Sequence, residues 1–177
     1  MTNLRKGLVA LMVKVILICG KICSGKTTYA KRLMKSNKAV LLSVDEITLA
    51  LFGQHIGEKH DEICEKTQNY LFEKATEIIA SNISVIFDWG FWTSEERRYA
   101  TEFFKGKGIK IEWHYINVSD DIWKKNLYKR NGRIASGQDD FYYIDDNIAD
   151  KFIRLFEAPS KDEIDIWYEN EWNEVQV

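Results

Sequence analysis

The feature that constrains this chain most is a short apolar run that ends in a glycine-rich turn. Residues 13–19 read VKVILIC, and residues 20–27 read GKICSGKT. A short apolar run bounded by glycine is typical of a strand buried on both faces of a parallel sheet. Helical spacing follows at residues 27–35. A buried strand, a tight turn and a helix in this order begin a βαβ unit, which restricts the chain to an α/β architecture.

The remainder of the chain alternates between strand and helix patterns in the same way. Short apolar runs predict strands, and amphipathic or capped segments predict helices. The predicted strands are residues 13–19, 39–43, 84–88, 109–118 and 164–168, and the predicted helices are residues 27–35, 45–51, 61–80, 93–105, 119–130 and 145–156. This alternation favours an α/β fold with a mostly parallel sheet flanked by helices on both faces. We expect one domain over residues 13–177 and interpret residues 1–12 as an N-terminal arm or the product of an upstream start.

The glycine-rich turn matches the pattern G-x-x-x-x-G-K-[ST] between a strand and a helix, which is the context that this pattern needs. Gly20 and Gly25 permit backbone turns that point successive amides at an anion in front of a helix N-terminus. Lys26 adds a positive charge for the β and γ phosphates, and the Thr27 hydroxyl can bind Mg²⁺. The pattern therefore predicts a P-loop NTPase fold with ATP and Mg²⁺ as cofactors. The nucleotide-binding residues that the pattern predicts are Gly20, Lys21, Ile22, Cys23, Ser24, Gly25, Lys26, Thr27 and Thr28.

Aspartates follow the second and third predicted strands, at the sheet edge where parallel sheets bind ligands. Asp45 is suited either to accept a proton from an acceptor hydroxyl or to cap the helix that follows. Asp88 ends the third strand, where it can hold Mg²⁺ together with Thr27 or cap the turn into Gly90. We expect Thr27 and Asp88 to be the metal ligands.

Four segments carry a family resemblance, and they read GKICSGKTTYAKRL, VDEI, VIFDWGFWTSEERR and FEAPSKDE. With them the chain resembles the small P-loop kinases of the AAA-type ATP-binding protein and zeta-toxin group, which are related to chloramphenicol phosphotransferase and to the kinase domain of polynucleotide kinases. The resemblance covers residues 13–163. Cys23 departs from it, because many kinases of this class carry glycine at this place, so the middle of the loop is bulkier here.

The resemblance implies roles for side chains outside the loop. Asp45 would be the base, and Arg130 would close over ATP with a polar lid near residues 131–141, although a cation there can also only compensate a helix dipole. Arg97 would face the phosphates or the acceptor, or else lie exposed on its helix. Trp92 can stack on a substrate or belong to the core. The expected catalytic residues are Lys26, Asp45 and Arg130, and the expected substrate contacts are Asp45, Asp88, Trp92 and Arg97.

Charge and cysteine content limit the compartment and the partners. The formal net charge of −2 provides no general basic field, so we expect no long nucleic acid as a partner. The three cysteines are odd in number and lack CxxC spacing, which indicates a reducing compartment, and we expect a cytoplasmic protein. No apolar run reaches the roughly 18 to 20 residues that cross a bilayer, so no membrane partner is expected.

Together these features predict an ATP-dependent phosphotransferase that moves the γ-phosphate to a hydroxyl of a small molecule with the help of Mg²⁺. Two alternatives share the fold. The first is a polynucleotide 5′-hydroxyl kinase or a nucleoside or nucleotide kinase. The second is a non-catalytic or slowly hydrolysing nucleotide-binding module, which would keep the loop and Lys26 but would not need Asp45.

Overall fold

The computed structural model describes residues 13–54, 56–139 and 141–171. The proposed arm at residues 1–12 therefore lies outside the described residues. The strands are β1 (Val15–Cys19), β2 (Ala39–Ser43), β3 (Ser84–Asp88), β4 (Ile111–Asn117) and β5 (Ile166–Glu169). The helices are α1 (Lys26–Ser36), α2 (Val44–Phe52), α3 (His60–Ala80), α4 (Ser94–Gly106), α5 (Asp120–Ala135) and α6 (Asp146–Leu155), with 3₁₀ turns at Gly57–Lys59 and Lys161–Glu163. Within the described ranges, no helix is long and apolar enough to span a bilayer.

The strands form one parallel sheet in the order β2-β3-β1-β4-β5. The predicted α/β fold with a parallel sheet is therefore confirmed. All residues of β1 are buried because it lies at the centre, with Val15 opposite both Val85 and Ile111. The chain leaves β1 toward β2 on one side and later returns to β4 on the other, which makes the carboxyl end of β1 a topological switch point.

The two faces of β1 pack against different helices, as strand alternation requires. Val15 and Leu17 join a cluster with side chains of α3 and α4, whereas Ile16 and Ile18 join a second cluster with Ala30 of α1. Helices therefore cover both faces of the sheet, as the continuous apolar runs predicted. A third cluster, formed mainly by α5 and α6, packs beside the turn that follows β1.

Polar side chains set the starts of the helices that flank the site. Ser43 caps α2 by accepting a hydrogen bond from the Glu46 amide at 3.3 Å. The predicted capping box at Thr93 and Glu96 is confirmed, with hydrogen bonds of 3.1 Å and 3.0 Å in the two directions. Ser119 caps α5, also as predicted. Local sequence therefore determines where these helices begin.

The predicted end of α5 at residue 130 was wrong, because the helix continues to Ala135. Gly137 ends it with a positive φ of 70°. Its amide binds the Ile134 carbonyl, and the Gln138 amide binds the Arg133 carbonyl, which is a Schellman motif. The first half of the predicted lid loop at residues 131–141 is therefore helical.

A buried polar chain links α1 to β4 and β1. The Tyr29 hydroxyl lies 2.9 Å from His114 Nδ1, and His114 Nε2 lies 2.8 Å from Glu112, which also pairs with Lys14. Burial by itself would raise the pKa of Glu112, but hydrogen bonds from Lys14 and His114 lower it overall. An ionised Glu112 only accepts, so Nε2 carries the proton and Nδ1 accepts from Tyr29. The buried imidazole is thus held neutral.

This arrangement predicts that the protein becomes less stable as the pH falls. Burial lowers the pKa of His114 below its ordinary value of 6.5, so below that pH the unfolded chain binds a proton that the folded chain does not. We expect the unfolding free energy to decrease as pH falls from about 7 to about 5.5, by at most about 1.4 kcal/mol per pH unit from this group. Denaturant titrations of the parent and of His114→Gln measure the difference.

Tyr29→Phe provides the matched control, because it removes one hydrogen bond and keeps the histidine. It should lower stability by about 0.5 to 1.5 kcal/mol at every pH and retain the slope of the parent. An equal slope in the parent and in His114→Gln would contradict the assignment of the pH dependence to His114.

Candidate active site

The phosphate loop, residues 20–27, connects β1 to α1 and has a backbone that needs its two glycines. Gly25 has a φ of 95°, in the left-handed region. A Cβ at Gly25 would lie 2.7 Å from the Asn170 Nδ2 atom, and a Cβ at Gly20 would lie 2.7 Å from the Ile116 carbonyl oxygen. Larger residues would therefore push the loop away from β4 and from the segment after β5. The loop is placed directly before the N-terminus of α1.

Side chains from distant parts of the chain hold the carbonyls of the phosphate loop. The indole of Trp123 donates to the Ile22 carbonyl at 2.8 Å, and Asn126 donates to the Cys23 carbonyl at 3.1 Å; both lie on α5. Asn170 donates to the Ser24 carbonyl at 2.8 Å. These contacts give the loop its shape without a ligand. The conformational entropy of the loop backbone is therefore lost during folding and not when a ligand binds.

Cys23 occupies the middle of the loop with a φ of 57°, a left-handed conformation that usually favours glycine. Its bulk is accommodated because the side chain is half-buried against the α5–α6 cluster. Burial raises the pKa of the Cys23 thiol, although Arg130 and Lys26 act in the opposite direction. A protonated, packed thiol is consistent with a structural role rather than with a nucleophile.

The Lys26 side chain folds back over the phosphate loop. Its Nζ donates to the carbonyls of Gly20 and Lys21, at 2.9 Å and 2.7 Å, and lies 4.9 Å from the centre of the Trp92 ring. Burial lowers the pKa of Lys26 to about 8, against the raising effect of Asp88. The ammonium therefore has partners that phosphate oxygens can replace.

Asp88 and Thr27 meet beside the loop. Asp88 is 5 % exposed, and the Thr27 hydroxyl hydrogen-bonds to it. Burial raises the pKa of the Asp88 carboxyl, while Thr27 and Lys26 lower it. A hydroxyl and a carboxylate are the hard oxygen donors that Mg²⁺ prefers, so these residues fit the expected metal. The buried Ser24 hydroxyl, which has no hydrogen-bond partner among the described residues, adds a further polar group at the loop.

Asp45 lies in the first turn of α2, and the cap of that helix is Ser43. The alternative in which Asp45 caps the helix is therefore wrong. Ser43 is paired with Asp88 across β2 and β3, which places both carboxylates at one edge of the sheet. Asp45 is exposed to solvent, yet the surrounding protein raises the pKa of its carboxyl, while Arg130, Lys26 and His60 lower it. A raised pKa makes a carboxylate a better proton acceptor.

Arg130 faces the phosphate loop from within α5. Its guanidinium donates to the Tyr142 carbonyl at 3.1 Å, stacks 5.2 Å from the centre of the Phe141 ring and hydrogen-bonds to Cys23. Its Nε is buried and lacks a partner within the described part of the chain. Because α5 continues to Ala135, the interpretation of Arg130 as a cation at the helix end was wrong. The structure brings Arg130 together with the loop, as the lid hypothesis requires.

The structure does not bring Arg97 into this group. Arg97 is 3 % exposed, and its guanidinium donates to the Glu163 carboxylate at 2.9 Å and to the carbonyls of Glu157 and Phe91. It thereby ties α4 to the segment after α6. The predicted contact of Arg97 with substrate remains a prediction, and in this structure its donors are used internally. The alternative, in which Arg97 lies exposed on its helix, was wrong.

Of the three aromatic residues in the loop between β3 and α4, only Trp92 is available to the site. Trp89 and Phe91 are buried in the core, at 9 % and 1 % exposure. Trp92 is half-buried, with its ring against Gly90, over Lys26 and 4.8 Å from the Phe152 ring. Its contact with a substrate stays a prediction.

Sequence reasoning missed a set of side chains on the far side of Asp45. Tyr142 donates to Thr48 Oγ1 at 3.1 Å, and its ring lies 5.8 Å from the His60 ring. Cys64 Sγ lies 3.7 Å from His60 Nε2. These residues belong to no motif, and their proximity follows only from the packing of α2 and α3 against the segment that follows α5.

Comparison with known proteins agrees with this geometry. A family model described as "AAA domain" matches residues 15–159, so the chain belongs to this AAA-domain family. Among solved structures it is similar to a sugar kinase from Janibacter sp. HTCC2649, with TM-score 0.62, 16 % identity and coverage of 89 % of this chain and 85 % of that one. A search of the curated proteins returned no match by sequence.

Two further solved structures share the architecture. For the APS kinase CysC of Mycobacterium tuberculosis, in complex with AMPPNP and APS, the TM-score is 0.61 and the identity 17 %, with 92 % of this chain and 91 % of that one covered. For a gluconokinase from Sinorhizobium meliloti 1021 the TM-score is 0.63 and the identity 12 %, with 92 % of this chain and 85 % of that one covered. At these identities the likeness shows the fold, which is that of P-loop kinases.

The environment of Lys26 predicts how nucleotide binding depends on pH. In the free protein Lys26 loses its proton near its pKa of about 8, whereas bound phosphates would hold that proton. We therefore expect the affinity for MgATP to fall as pH rises above about 8, by up to about tenfold per pH unit. Isothermal titration calorimetry from pH 7 to pH 9.5 measures this.

Lys26→Met is the control for this measurement. It should bind MgATP more weakly at neutral pH, because a phosphate contact is lost, and its affinity should not show the fall above pH 8. An equally steep fall in Lys26→Met would show that another group is responsible.

Proposed function

We propose that this protein is an ATP-dependent phosphotransferase that moves the γ-phosphate to a hydroxyl of a small molecule. The observation that carries the proposal is the convergence at one sheet edge of the phosphate loop, Asp88 beside Thr27, and Asp45 with a raised pKa. The first two features serve nucleotide binding, and the exposed carboxylate supplies what an acceptor needs. The likeness to structures described as a sugar kinase, a gluconokinase and an APS kinase supports the same class of reaction.

The phosphate loop and Lys26 would hold the β and γ phosphates. Lys26 would exchange the carbonyls of Gly20 and Lys21 for phosphate oxygens, which places its charge where negative charge develops. Thr27 and Asp88 would hold Mg²⁺, which neutralises phosphate charge when bound. Arg130 would supply a second cation from α5, and its buried Nε has no hydrogen-bond partner among the described residues.

Asp45 would orient the acceptor hydroxyl and accept its proton. The acceptor oxygen forms a bond to the γ-phosphorus as the bond between that phosphorus and the β–γ bridging oxygen breaks. ADP leaves with the electron pair of the broken bond, and the hydroxyl proton passes to Asp45. The alternative of a nucleotide-binding module without transfer has no need of a carboxylate at this place.

Substitution of Asp45 tests the proposal. Asp45→Asn preserves size and removes the proton acceptor, so we expect transfer to a hydroxyl acceptor to fall by about 10²- to 10⁴-fold. Affinity for ATP should stay within a few-fold of the parent, because the loop and Lys26 provide most of that binding. A panel of hydroxyl compounds, with ADP formation above a water-only reaction as the readout, identifies a usable acceptor.

Glu46→Gln is the matched control, because Glu46 is the neighbouring exposed carboxylate in the same helical turn. It should leave both transfer and nucleotide affinity unchanged. If a folded Asp45→Asn protein transfers phosphate at the parent rate, Asp45 has no part in the mechanism. Nucleotide binding without turnover of any acceptor would favour the non-catalytic module.

A second prediction concerns the segment after α5. Arg130 bonds to the Tyr142 carbonyl, so nucleotide bound at the loop should order residues 136–139 and 141–145 through Arg130. We expect their amide hydrogen exchange to slow when AMPPNP and Mg²⁺ are added. The turn at residues 107–108, after α4, is the internal reference and should not change. Equal exchange with and without the analogue would contradict a lid at this place.

A further inference from the structure

The segment 141–144, which we call the lid strap, crosses from the nucleotide side of Asp45 to the opposite side. Phe141 lies against Arg130, and the Tyr142 carbonyl accepts a hydrogen bond from it. The strap is also bound to the turn after α2, because Gln54 donates to the Phe141 carbonyl at 2.9 Å. The Tyr142 side chain lies between α2 and α3, where it contacts Thr48 and His60.

On the α2 side, Tyr142 contacts the helix face that carries Thr48. Thr48 stands three residues after Asp45, so the two side chains lie on the same face of the helix. The Tyr142 hydroxyl donates to Thr48 Oγ1 at 3.1 Å, and Thr48 in turn donates to the Val44 carbonyl at 3.0 Å. The Tyr142 oxygen keeps a lone pair that can accept a hydrogen bond from a ligand.

On the α3 side, Tyr142 contacts His60 at the start of the helix. The His60 ring meets the Tyr142 ring edge-to-face, with centroids 5.8 Å apart and an interplanar angle of 80°. His60 Nδ1 lies 3.2 Å from the Asp61 carboxylate and donates a hydrogen bond to it. The other ring nitrogen, Nε2, lies near the Cys64 thiol. Imidazole, phenol and thiol are polar but carry no fixed positive charge.

The charges on this side of Asp45 are unfavourable for an anion. The first turns of α2 and α3 contain two carboxylates each, and all four are exposed; they are Asp45, Glu46, Asp61 and Glu62. The lysine and the arginine that act on the Asp45 carboxyl, Lys26 and Arg130, lie at the phosphate loop, and His60 is next to Asp61. Recognition of phosphate, sulfate or carboxylate groups requires arginine, lysine or a cluster of free amides.

We propose that the acceptor is a hydroxyl compound without a phosphate, sulfate or carboxylate group, that is, an uncharged or cationic alcohol, and that His60 and Tyr142 are the residues that position it next to Asp45. This inference rests on the proposed function, and it narrows the acceptor class of the same site. An anionic acceptor would bring its charge against Asp45, Glu46 and Asp61, whereas Glu62 is paired with Lys66. Lys26 and Arg130, which act on the Asp45 carboxyl, would already hold ATP.

Matched pairs of compounds test the acceptor class. The probes are glycerol with glycerol 3-phosphate, glucose with glucose 6-phosphate, adenosine with adenosine 5′-monophosphate, and ethanolamine with phosphoethanolamine. Binding is read from NMR shifts of the His60 ring protons in protein saturated with AMPPNP and Mg²⁺, and turnover is read from phosphorylated product with ATP. We expect the member without phosphate to shift His60 and to be phosphorylated in preference, by at least about tenfold in kcat/KM.

The outcomes separate the two proposals. Shifts of His60 by the uncharged members without any product would support the acceptor class and refute the kinase. Equal or better binding or turnover of the phosphorylated members would overturn the acceptor class, and product formation in that case would leave the kinase standing.

Substitutions test the positioning role. Tyr142→Phe removes one hydrogen-bonding group, so we expect the KM for the best uncharged acceptor to rise by about 5- to 10-fold while the KM for ATP stays constant. His60→Gln should act in the same direction. Tyr143→Phe is the control, because Tyr143 is the exposed neighbour in the lid strap, at 53 % exposure, and both KM values should equal those of the parent. A Tyr142→Phe protein in which the two KM values rise together would overturn the positioning role.

Discussion

The parallel pairing of β1 with β3, and of β3 with β2, is the constraint on which the site depends. The register places Ile18 opposite Asp88 and Asp88 opposite Ser43, so three strands end at the same level. The phosphate loop follows the first of these strands, and α2 begins directly after the last. A slip of one residue in β3 would turn the Asp88 side chain to the other face of the sheet and away from Thr27.

The phosphate loop is shaped by contacts that come from the end of the chain as well as from its neighbours. Trp123 and Asn126 of α5 and Asn170 after β5 bind three consecutive loop carbonyls. The same helix α5 contributes Arg130, so the elements that shape the loop also deliver the cation that faces it. Because the loop is already ordered, little binding free energy is lost in ordering the backbone when a nucleotide binds.

Burial tunes the charged groups of the site in opposite directions. It lowers the pKa of Lys26 to about 8 and raises the pKa of Asp88, because each charged form loses water. The surrounding protein also raises the pKa of Asp45, although its side chain is exposed. The three groups partly compensate one another, since Lys26 lowers the pKa of both carboxyls. Arg97 is buried as well, but it is paired with Glu163 and stabilises the fold instead.

The sequence by itself determined the features that depend on local patterns. The strands at 39–43 and 84–88, the phosphate loop and the capping box at Thr93 were predicted correctly, because alternation, glycine spacing and capping act over a few residues. The end of α5 is also local, because the Schellman motif at Gly137 joins residues 133–138, and the prediction that stopped the helix at residue 130 overlooked it. Only the tertiary structure decided the internal use of Arg97 and the meeting of His60 with Tyr142. The Glu163 pair and the lid strap depend on how distant segments pack, and residue spacing carries no record of contacts made across 66 or 82 positions.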